Sequence, residues 1–242
     1  MNGQEHVLLT ELCILMVLGP WMLGEHIPWL LAVFAGSLLG SLAPDADAPD
    51  ASIFHNKRQG RNVFRMVPGY IFPLTGYVLR YAVYYPVSAL LFILSFGSVR
   101  PRHRGFLHSI PGITLSSLVI FGGAWMLLLW AGLSPPSFLL PAGAGFFVGC
   151  AFHLLEDSCT KGGICPLFPP VRVKIAGTIV TGDRREMRPL IFAIVLGGGA
   201  AITCANRAIF PVEGYASLLP ALLCAILWVV FLRWCGVKVF WD

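Results

Sequence analysis

The chain alternates long apolar runs with short polar stretches. No Lys, Arg, Asp or Glu falls between Glu25 and Asp45, between Arg104 and Glu156, between Arg188 and Arg207, or between Glu213 and Arg233. A helix rises about 1.5 Å per residue, so roughly 20 apolar residues cross a hydrocarbon core of about 30 Å. Each gap holds one such segment, except 105–155, which holds two around the turn Ser134-Pro135-Pro136. With residues 7–23, the pattern predicts six spans, at 7–23, 27–44, 109–132, 138–156, 189–206 and 215–232. In lipid the backbone must bond within its own segment, so these spans are read as helices. The leader before residue 7 carries Glu5 and no Lys or Arg. The first span is therefore expected to be retained rather than cleaved as a signal.

Residues 70–98 interrupt this regularity. Tyr70, Phe72, Tyr77, Tyr81, Tyr84 and Tyr85 crowd the first half, and Pro73, Arg80 and Pro86 break it up. Such aromatics favour the membrane–water interface. The segment is expected to form an interfacial helix followed by a half-inserted or hairpin piece. The predicted fold class is all-α: a polytopic transmembrane helical bundle of about six spans plus an interfacial or re-entrant segment at 70–98. Residues 1–242 would make one integral membrane domain.

Composition agrees with this pattern. Hydrophobic residues make up 57% of the chain and charged ones 12%, against roughly 45–50% and about 25% in a soluble domain. So little charge excludes a disordered chain, a basic nucleic-acid module and an ordinary cytosolic enzyme. The net charge of +5 is explained by placement. If the N-terminus is cytoplasmic and 70–98 enters and leaves on that face, all of the 17 basic residues except Arg80 and Arg207 share one side. That is a positive-inside pattern. It predicts a multi-pass protein of the inner or plasma membrane with both termini in the cytoplasm, and it removes the need for a direct nucleic-acid partner. Seven cysteines form no CxxC pair, so no disulfide or thiolate framework is read from them.

The remaining polar residues gather at the predicted span ends that share this face. His153 and Asp157 stand four apart, on one helical face. They could share a metal ion, or simply hydrogen-bond to each other in the core. Pro44-Asp45-Ala46-Asp47 follows the second span, where carboxylates oppose the helix dipole and call for a compensating cation. Oxygen ligands of this kind suit Mg, Mn, Zn or Fe. His103-Arg104-Gly105-Phe106-Leu107-His108-Ser109 reads as a turn that Gly105 lets close, bringing the two imidazoles together. Ser109 would then cap the next span. Cations beside those imidazoles suit a site that receives an anionic phosphoryl or carboxylate group.

These strings resemble the YdjM-like family of inner-membrane-associated proteins, described as LexA-binding, metal-dependent hydrolases. The family pattern has an N-terminal His, PDxD, HRGxTHS, HxxxDxxTxxG and TGxxxE. In order, this chain offers His6, Pro44–Asp47, His103–Ser109, His153 to Gly163, and Thr181-Gly182-Asp183-Arg184-Arg185-Glu186. Ala48 stands where members often carry His, and Leu107 replaces the Thr. The resemblance covers residues 6–190, leaving 189–232 as a two-helix extension. It implies a metal set of His6, Asp45, Asp47, His103, His108, His153 and Asp157.

That set exceeds the needs of one tetrahedral ion, so two divalent ions (Zn, Mn, Fe or Mg) are expected. Arg104 would stabilise phosphoryl charge, and Glu156 or Glu186 would relay a proton. The expected function is metal-dependent hydrolysis of a lipid-linked phosphoester at the cytoplasmic face, with a membrane lipid or lipid-linked substrate as partner. The alternative is a non-catalytic membrane protein whose structural metal site helps it dock a cytoplasmic regulatory protein.

Overall fold

The structure is a computed structural model. It describes residues 2–22, 27–48, 50–51, 53–54, 71–98, 103–171, 173–183, 185–206, 209–210 and 215–241. Tyr70, the basic residues Lys57, Arg58, Arg61, Arg65, Arg100, Arg102, Arg172, Arg184 and Arg207, and the histidines His26 and His55 lie outside the described residues.

The described chain is helical apart from one small sheet, as expected of an all-α membrane bundle. The helices are α1 (Gly3–Leu18), α2 (Ile27–Gly40), α3 (Ile71–Leu94), α4 (Ile110–Trp130), α5 (Leu139–Ser158), α6 (Arg188–Ala205) and α7 (Leu219–Trp234). Strands β1 (Val173–Ala176) and β2 (Lys238–Trp241) pair antiparallel, with Val173 opposite Trp241. Asn2 starts α1 with a capping box that Glu5 completes, satisfying end amides that would otherwise lack partners. Ser109 caps α4 through the Gly112 amide, as the sequence predicts.

Among the described residues, five segments are long and apolar enough to cross a membrane: Ile27–Asp47, Ile71–Leu94, Ile110–Trp130, Leu139–Ser158 and Arg188–Ala205. The two outer predicted spans are helical as well, but shorter than these. The segments predicted at 7–23 and 215–232 become 16-residue helices, each about 24 Å long. Pro20 ends the first by turning Gly19–Trp21 into a 3-10 turn, and Pro220 sits in the first turn of α7.

The expected break within 70–98 is also absent. α3 runs unbroken for 24 residues because a π-helical turn at Leu79–Tyr84 absorbs the backbone mismatch ahead of Pro86. Its first half packs on Ile53 and Phe54, just beyond Asp47, and the Arg80 side chain reaches the Ala46 and Ala48 carbonyls. At the other end Ser98 is five residues from His103, which limits their separation to about 18 Å, and His103 is bonded to Asp47. Both flanks of α3 are thus tethered to the end of the bundle that carries Asp47 and His103, and its 24 residues, about 36 Å in length, are long and apolar enough to cross a membrane.

Two apolar cores lie side by side. One joins Leu42, Ile53, Leu79, Val83, Leu107, Ile113, Phe146 and Leu154. The other surrounds α1 with Leu196, Phe192, Trp228 and Phe231 from α6 and α7. Between α2 and α5 the approach is tighter. A Cβ built on Gly36 or Gly40 would collide with the carbonyls of Ala142 or Phe146, and one on Gly145 or Gly149 with those of Val33 or Ser37. The two pairs are small-xxx-small motifs facing each other, which let helix backbones touch. By contrast, only Gly199 of the Gly197-Gly198-Gly199 run meets a neighbour closely, at Met16.

Chain direction alternates, so one end of the bundle collects the start of α1, the ends of α2 and α5, the starts of α4 and α6, and the β1–β2 sheet. Gly40→Ala is expected to lower stability by about 3 kcal/mol through overpacking. Gly198→Ala, with no atom within 4 Å of the added carbon, should leave stability unchanged. Thermal unfolding of the two variants in detergent checks the contrast.

Candidate metal centre

The tight α2–α5 contact carries its register to the end of the bundle. Beyond Gly40, α2 unwinds through a turn into the 3-10 segment Pro44–Asp47, and the unwinding frees the Ser41 carbonyl. His153, on α5, points its Nδ1 at that carbonyl at 2.7 Å. A carbonyl only accepts, so Nδ1 carries the proton and Nε2 presents a lone pair to the interior. A second contact of this kind orients ligands at metal sites.

His6 is oriented in a comparable way. Its Nδ1 lies 2.5 Å from Glu156 Oε2, while Thr10 donates to Glu156 Oε1 at 3.3 Å. The His6 ring stacks on His153 with centroids 4.1 Å apart, and its Nε2 faces Asp157 Oδ1 at 3.8 Å.

The segment before α4 supplies the rest. The left-handed residue that closes the turn is Arg104, with φ 59°, rather than Gly105. Strain of this kind costs on the order of 1–3 kcal/mol and needs anchoring. The anchors are Asp47, which accepts the Arg104 amide at 3.1 Å, together with Thr160 and Asp157, which accept the two terminal guanidinium nitrogens at 2.8 Å each. The turn swings His103 Nδ1 to within 2.7 Å of Asp47 Oδ1. It also places His108 between His103 and His153, with ring centroids 5.2 and 5.3 Å away.

At the centre, four atoms face one another. His108 Nε2 is 3.3 Å from Asp45 Oδ1 and 3.6 Å from Asp157 Oδ2. His153 Nε2 is 3.6 Å from the same Asp45 oxygen and 3.8 Å from the same Asp157 oxygen. None of these contacts is an aligned hydrogen bond. Both ring nitrogens of His108, Nε2 of His153 and Oδ2 of Asp157 are buried without a partner. Buried polar atoms almost always find one. An ion bound at about 2.0–2.2 Å would hold its ligands at separations of this order, so the donors fit a divalent cation.

Among the described residues, three overlapping groups of donor atoms could hold a metal ion: His6, His153 and Asp157; Asp45, His108 and His153; and Asp47, His103 and His108. Together they contain all seven residues of the expected metal set. Arg104 and Glu156 lie against them, aligning Asp157 and His6 respectively. Glu186 stands apart. It pairs with Arg188 at 2.6 Å, and that guanidinium holds its carboxyl below the usual range. It lines a separate cavity of about 360 Å³ with Asn2, Glu5 and Asp183.

Several contributors escaped the sequence reading. The Ser41 carbonyl carries no side-chain signal at all. Thr10 and Thr160 read as ordinary helix and loop residues. The isolated Arg80 had a signal, being a lone charge in an apolar stretch, but its contacts depend on where α3 lies.

Taken together, these features define an α-helical membrane protein with a buried, carboxylate-rich histidine centre at one end of its bundle. The chain belongs to the YdjM inner membrane protein family, whose family model matches residues 1–238. No curated protein and no solved structure matches it.

Burial alone would lower the pKa of His108, but the neighbouring Asp45 and Asp47 carboxylates outweigh that effect and push it up to about 10 in the metal-free protein. A cation must therefore displace this proton at neutral pH, and affinity should rise with pH by up to about tenfold per unit. Titration of metal-free protein with a divalent cation from pH 6 to 8 measures the slope. His153→Ala should lower the affinity at every pH.

Proposed function

We propose that this protein is a membrane-bound metal-dependent hydrolase that acts at the cytoplasmic interface on a lipid-linked phosphoester. The supporting observation is the set of unpartnered buried donors on His108, His153 and Asp157. It lies at the end of the bundle where Arg104, Lys174, Arg188 and Lys238 also lie. Two ion positions are proposed. An inner one uses His6, His153 and Asp157, closed by Asp45 and His108 Nε2. An outer one uses Asp47 and His103 with His108 Nδ1. Bound ions would polarise a phosphoryl oxygen and acidify a water enough to attack at neutral pH.

The chain's own residues prepare that chemistry. Glu156 and the Ser41 carbonyl fix the rings of His6 and His153. Arg104 spends both terminal nitrogens on Asp157 and Thr160, so its proposed role is to aim Asp157 Oδ2 inward and offset the charge of the three carboxylates. Glu156, bonded to His6 at full burial, is proposed to orient that ring and raise its basicity as a ligand. Glu186 pairs with Arg188 and lines a separate cavity, and is proposed to stabilise the loop before α6. The site opens on one side, since the side chains of His103 and Asp45 are 47% and 24% exposed. Catalytic sites keep such an open position, whereas structural ones are closed. This openness favours hydrolysis over a purely structural ion in a protein that docks a cytoplasmic regulator.

Reconstituted protein should contain two equivalents of divalent metal, with His103→Ala losing one of them. It should release phosphate from vesicles containing a lipid phosphate or diphosphate. His108→Ala and Asp45→Asn should slow release by at least about 100-fold, the scale expected when electrostatic groups are removed. Metal-loaded protein that releases no phosphate from either lipid class would overturn hydrolysis.

A further inference from the structure

Arg80 is the single charged residue of α3, and a charge within an apolar helix calls for an identified partner. Its partners are backbone carbonyls. Nε donates to the Ala46 oxygen at 2.8 Å and Nη2 to the Ala48 oxygen at 2.6 Å. The guanidinium also lies over the Phe54 ring, 4.0 Å from its centroid. An arginine serving only as a topology anchor would extend its head towards lipid headgroups. Here the head turns inward to the stretch that carries Asp45 and Asp47.

Three features of the chain create this contact. The 3-10 segment at Pro44–Asp47 ends a helix, leaving carbonyls without intrahelical partners, and Ala46 and Ala48 flank Asp47 on either side. The π-helical turn at Leu79–Tyr84 bears Arg80 while Leu79, Val83 and Tyr84 pack into the core. Gly76 lets the Phe54 ring come close, since a Cβ there would lie 2.8 Å from it, and this seats the ring beneath the guanidinium. A planar fork can grip two carbonyls at a fixed spacing, and a lysine ammonium cannot. The positive charge also offsets two carboxylates at the unfavourable end of a helix dipole.

We propose that Arg80 is a positioning residue for the metal centre. It clamps the backbone on both sides of Asp47, and so fixes the directions in which Asp45 and Asp47 project towards His108 and His103. The inference rests on the metal-centre reading given above.

Full-length protein and the variants Arg80→Lys and Arg80→Gln, purified in detergent, are titrated with Co(II) and followed by visible absorption. Both variants should elute as the parent does, bind Co(II) about 10–100-fold more weakly, and show altered band intensities, with Lys failing to rescue. Parent-like affinity and spectrum in Arg80→Lys would overturn the clamp. A parent that binds no Co(II) would instead overturn the metal-centre reading. The clamp is then read without metal, from the rate of thiol alkylation at Ala48→Cys, which should be several-fold faster with Arg80→Lys. Equal rates would overturn it.

Discussion

Helices in a hydrocarbon solvent gain little by hiding apolar side chains from lipid, so what holds α2 to α5 is close approach of their backbones. Gly36, Gly40, Gly145 and Gly149 permit it, each lying where a Cβ would strike a carbonyl or backbone atom of the other helix. Such a contact tolerates almost no sliding, and it therefore sets how the two helix ends meet. One residue beyond Gly40, the Ser41 carbonyl meets His153 Nδ1, and from there the tautomer of His153 and the direction of its other nitrogen follow. Asp45 and Asp157 are brought to the same point by the same contact.

The centre built there is electrostatically demanding. Three carboxylates and four imidazoles sit within hydrogen-bond range or slightly beyond it, mostly buried, and several of their atoms have no aligned partner. The protein offsets part of this with cations that face inward. Arg104 holds Asp157 from the loop side, and Arg80 grips the backbone of the carboxylate turn from α3. The remaining contacts, between 3.3 and 3.8 Å, are too long or too poorly aligned for hydrogen bonds, and they are spaced as donors around a divalent ion. Fixed outer contacts on His6 and His153 leave only one way for each ring to face.

Much of this was legible in the sequence. Stretches without charge located α2, α4, α5 and α6 to within a few residues, because a membrane penalises charge more strictly than it rewards any particular apolar residue. All seven expected ligands lay at predicted span ends on one face, and the structure gathers them at one end of the bundle. What misled the reading was local chemistry. Pro20 and Pro220 shortened the outer helices, and a π-helical turn let α3 continue past Arg80 and Pro86 where a break was expected. The freedom assigned to Gly105 is taken up by Arg104, since the bonds to Asp47, Thr160 and Asp157 support its left-handed backbone.

By itself, then, the sequence determined that the protein is a helical membrane bundle and which residues carry its polar chemistry. Both follow from one-dimensional rules: the length of an apolar run and the clustering of ionisable groups at its ends. Only the tertiary structure decided which atoms meet. The aiming of His153 depends on a carbonyl with no side-chain signature. Glu186 shares the spacing of a motif residue but bonds Arg188 instead. Arg80 gains its contacts through the path of α3 past the carboxylate turn. Such outcomes depend on helix register and backbone approach, which between α2 and α5 are fixed by contacts between residues more than a hundred positions apart.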